Sequence, residues 1–146
     1  MSEAERVVTL FAKIGDCLKQ LRELGIVRGQ LNPGAEYAEW LIAEKTGGKR
    51  GPINQECWDV VLADETKIQV EHQQKAGSNN HRRCWYLAEK KIGGADKFAF
   101  VDFCPDFTVR GLYLIDKERI RSIGRFRQRY SDWQLRLKDL ESCRLA

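Results

Sequence analysis

The sequence predicts an α/β (α+β) fold, a β-sheet flanked by helices, and three observations predict it. Apolar residues recur at steps of three and four near the N-terminus and again after residue 33. From Trp58 onward the pattern changes to short segments typical of strands. The length of 146 residues suits one domain, spanning 1–146, that buries roughly two thirds of the surface its unfolded chain exposes.

Ser2 and Glu5 have capping-box spacing, and Val7, Leu10, Phe11, Ile14, Leu18 and Leu21 follow on one stripe. They predict a helix over 2–24 whose apolar stripe packs on the core. Asn32 as a cap and Pro33 in the first turn open a second helix, which the Gly47–Gly48 pair stops. Glu36 and Glu39 lie three residues apart on it and therefore share a face.

The segments WDVVL and KIQVE, separated by Ala63, Asp64 and Glu65, read as a β-hairpin. Ile68 and Val70 then point to one face and Lys67, Gln69 and Glu71 to the other. If residue 61 faces 67 or 69, Asp59 joins Gln69 and Glu71 on the polar face. His72 falls on the opposite side. CWYLAEK is a further strand, KFAFVDF (97–103) a central one, and VRGLYLI (109–115) its neighbour. A closing helix starts near Asp116, and Trp133, Leu137 and Leu140 extend a C-terminal helical segment over 117–145, packed on the core.

A hydrophobic content of 42% with 32% charged residues excludes wholesale disorder. The N-terminus has neither the basic opening nor the apolar stretch of a secretory signal, and nowhere do 18 apolar residues run together. A cytoplasmic protein with no membrane partner is expected. The five cysteines (Cys17, Cys57, Cys84, Cys104, Cys143) are widely spaced without a CxxC pair, which predicts reduced thiols. A zinc site from His81, Cys84 and distant cysteines lacks paired-ligand spacing.

The net charge of +4 is modest, yet it is concentrated in two stretches without acids. One contains Lys75, Arg82 and Arg83; the other, residues 119–129, includes Arg125, Arg127 and Arg129. Two readings stand: solvated surfaces, or strips that hold nucleic-acid phosphates.

Carboxylate and amide oxygens on one strand pair, with a helical glutamate nearby, form the oxygen-rich set that Mg²⁺ prefers. A solvated sheet face is the plain alternative. The candidates are Glu39, Asp59, Gln69 and Glu71.

The stretch GAEYAEWLIAEKTGG followed by QECWDVVLADETKIQVE resembles the PD-(D/E)XK nuclease superfamily. It is similar to a bacterial subgroup in which a GxxxxEWLVA helix precedes "YDV, short turn, IQVK". The resemblance is close over residues 33–71 and general beyond them. It implies a restriction-endonuclease-like core with a mixed β-sheet. It further implies a Mg²⁺-dependent DNA endonuclease of restriction, repair or phage-defence type, with Mn²⁺ as an alternative ion. Glu39, Asp59, Gln69 and the Val70 carbonyl correspond to the metal-side groups. Double-stranded DNA is the implied partner, and cutting both strands points to a homodimer.

Glu71 stands where the family carries a catalytic lysine, which in the family orients water and stabilises charge developing on phosphate. Three readings follow: Glu71 works in catalysis, the site binds without cutting, or the residue is an inactivating substitution. Lys75, from the loop, is a candidate replacement cation. A non-catalytic nucleic-acid-binding module on the same fold is the alternative function.

Overall fold

The computed structural model describes residues 1–29, 32–75 and 84–145. Helix α1 (Glu3–Glu23) and helix α2 (Pro33–Thr46) come first, followed by strands β1 (Lys49–Arg50), β2 (Val60–Val61) and β3 (Lys67–Gln74). Strand β4 (Cys84–Ala88), helix α3 (Glu89–Ile92) and strands β5 (Lys97–Phe103) and β6 (Val109–Asp116) continue the chain. It closes with α4 (Lys117–Ile123), β7 (Arg125–Arg127), β8 (Asp132–Arg136) and α5 (Leu137–Leu140).

Five strands form a mixed sheet in the order β1-β2-β3-β5-β6. The β1, β2 and β3 pairings are antiparallel, β3 and β5 run parallel, and β6 returns antiparallel to β5. The parallel pair is buried as parallel pairs require, and Phe98 through Phe103 are all buried. Side-chain alternation divides this sheet between two cores. Ile68, Val70, Ala99 and Val101 meet Ala38 and Ile42 of α2. Phe98, Phe100, Tyr113 and Ile115 face the other way, onto Trp85 and Leu135 of a second antiparallel sheet, β4-β8-β7. Ile120 of α4 and Leu137 and Leu140 of α5 complete that second core.

The elements nearest the candidate site form as their residues dictate. The Asn32 side chain accepts from the Gly34 and Ala35 N–H groups, Pro33 follows at a position where its missing N–H costs nothing, and Gly47 ends α2 in the left-handed conformation. Val61 pairs with Lys67, one of the two registers the hairpin pattern allows.

Two sequence expectations are corrected. Helix α1 has its capping box, but it buries none of its residues, and Val8 and Phe11 are each 69% exposed. The faces of the mixed sheet are already covered by α2 and by the second sheet, which leaves the α1 stripe no core to enter. Phe11→Glu should therefore change the stability of the monomer by no more than about 0.5 kcal/mol, the range for a surface position. A thermal melt showing the several-kcal/mol loss typical of a core phenylalanine would return α1 to the core.

The second correction concerns 117–145, of which α4, short α5 and a 3-10 turn at Glu141–Cys143 are helical, while Arg125–Arg127 and Asp132–Arg136 are strands. Trp133, Leu135 and Leu137 alternate as well as Trp133, Leu137 and Leu140 fit a helix, and β4 and β7 offer pairing partners on both sides. Long-range pairing decided between two patterns that the local sequence supports equally. No helix among the described residues is long and apolar enough to cross a membrane.

Candidate active site

The site begins where β2 ends. Beyond the Val60–Ile68 pair, the Asp59 side chain replaces a backbone partner: its carboxylate accepts the Val70 N–H at 2.7 Å. Continuing that register sets Asp59 opposite Gln69. Helix α2 brings Glu39 to the same place, and the two carboxyl groups share a hydrogen bond.

Desolvation dominates the electrostatics of this pair. Burial, then the neighbouring Asp59, pushes the Glu39 carboxyl up to about 7, although Arg28 lies 3.5 Å away. Burial also raises Asp59, against the opposing effects of the Val70 N–H and the bond from Glu39. Burial and the neighbouring carboxylate thus favour a retained proton on Glu39, as expected when like charges crowd a partly desolvated site.

Glu71 follows on the Gln69 face of β3. Burial raises its carboxyl, while Lys91 of α3 lowers it through an ion pair at 3.4 Å. Asp59 raises Glu71 in turn, and Lys91 lowers Asp59, so the four charged groups act on one another. The close fit between α3 and the loop ahead of Asp59 rests on Gly94. A Cβ there would stand 2.5 Å from that of Cys57, whose own φ of 71° is left-handed.

Glu39, Asp59 and Glu71 are therefore brought into one electrostatic cluster, with Gln69 and Val70 on the strand between them. Glu36 is drawn elsewhere. Its carboxylate accepts the Arg28 and Gly29 N–H groups at 2.6 and 2.9 Å and holds the segment before α2. His72 turns to the opposite face, 3.4 Å from Asn32, where burial lowers its pKa. Among the described residues no three of His, Cys, Asp and Glu are spaced to hold one metal ion. Two carboxylates supplemented by amide or carbonyl oxygen and water are nonetheless a normal Mg²⁺ donor set. A half-buried carboxyl pair raised by desolvation, beside an amide and a carbonyl oxygen, fits such an ion.

The structure separates the expected basic contacts. Arg82, Arg83 and His81 lie outside the described residues. Lys75 is exposed just past β3, and its carbonyl accepts from Arg110. Arg127 makes two hydrogen bonds to Asp132, at 2.7 and 2.6 Å, and lies between the Tyr86 and Tyr130 rings, 4.0 and 4.4 Å from their centroids. Those contacts hold the Arg127 guanidinium to the fold, with 29% of its side chain exposed. Arg125 and Arg129 are exposed. All five cysteines are free.

Two features carry no signal in the local sequence. Lys91 has no motif to mark it, because α3 is four residues long and meets β3 only through tertiary packing. The other is a buried polar group: Gln73, Asp102 and Arg110 extend the β3 polar row inward, with Asp102 3.3 Å from both partners. The two polar residues of the Gln73–Asp102 contact face each other in the parallel register, a pairing that becomes visible only once β3 and β5 are known to be neighbours.

No protein-family model matches this sequence, and no curated protein is significantly similar to it.

Proposed function

We propose that the chain is a metal-dependent DNA endonuclease of the PD-(D/E)XK type with a restriction-endonuclease-like core. The observation that carries this reading is the half-buried Glu39–Asp59 carboxyl pair, held at the edge of β3 beside Gln69, Val70 and Glu71. The succession of α2, the antiparallel β1-β2-β3 run and the parallel β5 supports it further. So does the resemblance over residues 33–71.

Glu39, Asp59, Gln69 and the Val70 carbonyl would hold Mg²⁺ or Mn²⁺. Such an ion lowers the pKa of a bound water and neutralises charge on the scissile phosphate. The chain's own contribution is arrangement: β3 fixes Gln69 and Val70, and the Val70 N–H orients Asp59. Helix α2 would supply Glu39 as a further carboxylate oxygen. Partial burial weakens the screening of these groups by water.

Plasmid DNA incubated with Mg²⁺ or Mn²⁺ tests the reading, with the metal-free protein as reference. Metal-dependent nicking or linearisation is expected; intact plasmid at every metal concentration would reject an active nuclease.

Duplex binding is expected to depend on the exposed arginines rather than on Arg127. Replacing Arg125 and Arg129 with alanine should reduce the salt dependence of affinity by about 2 in log–log slope, roughly 0.9 for each phosphate that is no longer neutralised. Fluorescence anisotropy at several salt concentrations gives the slope. An unchanged slope would move the phosphate-binding surface elsewhere.

A further inference from the structure

The geometry points to Lys91 as the cation that β3 itself lacks, delivered to the site from α3. This inference rests on the nuclease reading and says how such a site would work with Glu71 in the strand. Three observations carry it. Lys91 Nζ lies 3.4 Å from Glu71 Oε1, so the ammonium sits where a residue on the Gln69 face of β3 ends. Its positive charge lowers the carboxyl of Asp59 as well as that of Glu71. The side chain is half exposed while Glu71 is largely covered, so an incoming anion meets the ammonium first.

Glu71 then has a definite role as the anchor that aims Lys91. A carboxylate at 71 with a lysine opposite gives the site the same net charge as a lone neutral residue, but it puts the cation on a flexible stem that can turn to phosphate. During hydrolysis the water oxygen bonds to phosphorus, the ester P–O bond breaks, and the water proton passes by way of solvent to the leaving oxygen. Negative charge builds on the phosphoryl oxygens throughout, and an ammonium beside them is more valuable in that state than in the ground state.

Short packing fixes the backbone from which the lysine projects. Ile92, next to Lys91, is fully buried in the second core, and Gly94 abuts Cys57 in the loop that leads to Asp59. Helix α3 is thereby fixed to the structure on which the carboxyl pair depends.

Single-turnover plasmid cleavage in Mg²⁺ is the test, with duplex affinity and thermal melting measured on every protein. Lys91→Met should lower the cleavage rate by roughly 10²-fold or more, the usual loss for one well-placed electrostatic group. Duplex affinity should change less than tenfold, and Lys91→Arg should recover part of the rate. Lys91→Glu should be as poor as Lys91→Met, and adding Glu71→Lys to it should recover at least about tenfold by restoring the pair in reverse. A purely structural pair would instead lose stability in step with rate. If Lys91→Met cleaves within about threefold of the parent while Asp59→Asn is dead, the Lys91 assignment is overturned and the nuclease reading survives. If the parent cleaves no better than Asp59→Asn, both are overturned.

Discussion

Asp59→Asn is expected to reduce Mg²⁺-dependent plasmid cleavage by roughly 10²- to 10³-fold, with little change in the fold. The substitution separates the two functions of this side chain. An asparagine oxygen can still accept the Val70 N–H, so the end of β2 stays attached to β3. What disappears is the negative charge, and with it the main electrostatic attraction for a divalent ion. Asp59→Ala is a less clean probe, because it also leaves the Val70 N–H without its partner and costs stability. Circular dichroism and melting establish that the Asn variant is folded, and titration calorimetry with Mg²⁺ measures the lost ion affinity. Parent-like cleavage by a folded Asp59→Asn protein would remove Asp59 from the site.

The second large effect concerns Glu39, whose folded pKa of about 7 exceeds its ordinary value of 4.5. Between those values the native protein keeps a proton that the unfolded chain has released, so this group makes stability fall as pH rises from about 4.5 to about 7 and leaves it flat above. The cost at pH 8 is on the order of 3 kcal/mol, an upper figure for a group that retains some solvent contact. Glu39→Gln should accordingly raise the melting temperature at pH 8, by roughly 5–10 °C, and change it little at pH 4.5. Mg²⁺ reverses the comparison: a bound cation favours the ionised carboxyl, so it should stabilise the parent at pH 8 and stabilise Glu39→Gln much less. Equal stabilisation of both proteins by Mg²⁺, or a gain independent of pH, would contradict the assignment.

Much of the site region is legible in the sequence because its signals are local. Asn32 and Pro33 mark the start of α2 and the Gly47–Gly48 pair its end, positions fixed by capping and backbone conformation. The alternation of Lys67 to Glu71 assigns faces before any partner is known, and it puts Gln69 and Glu71 together and His72 apart. Phe98 to Phe103 read as an inner strand because few sequences so apolar can lie elsewhere. The remainder depends on contacts between distant segments. Residues 132–136 fit both periods, and the choice is made by β4, almost 50 residues earlier. The α1 stripe has the pattern of a core-facing helix, yet none of its residues is buried, and the local sequence cannot reveal that α2 and the second sheet already cover the mixed sheet. Lys91 sits 20 positions from Glu71, and nothing in either local sequence names the other.

The approach of Gly94 to Cys57 has a consequence for how this site could change over generations. The residue at 94 is three places beyond Lys91, and the one at 57 is two places before Asp59, so the separation of cation and carboxylate depends on the Gly94 main chain meeting the Cys57 Cβ. Rotamers at neighbouring positions can adjust a side chain by an ångström or so, but a Cβ moves only with its own backbone. Any methyl group at 94 must displace the loop, α3, or both, and will move the opposing charges as a unit. Variation in the chemistry of this site is thus channelled into exchange of its side chains, while its dimensions depend on a glycine outside it.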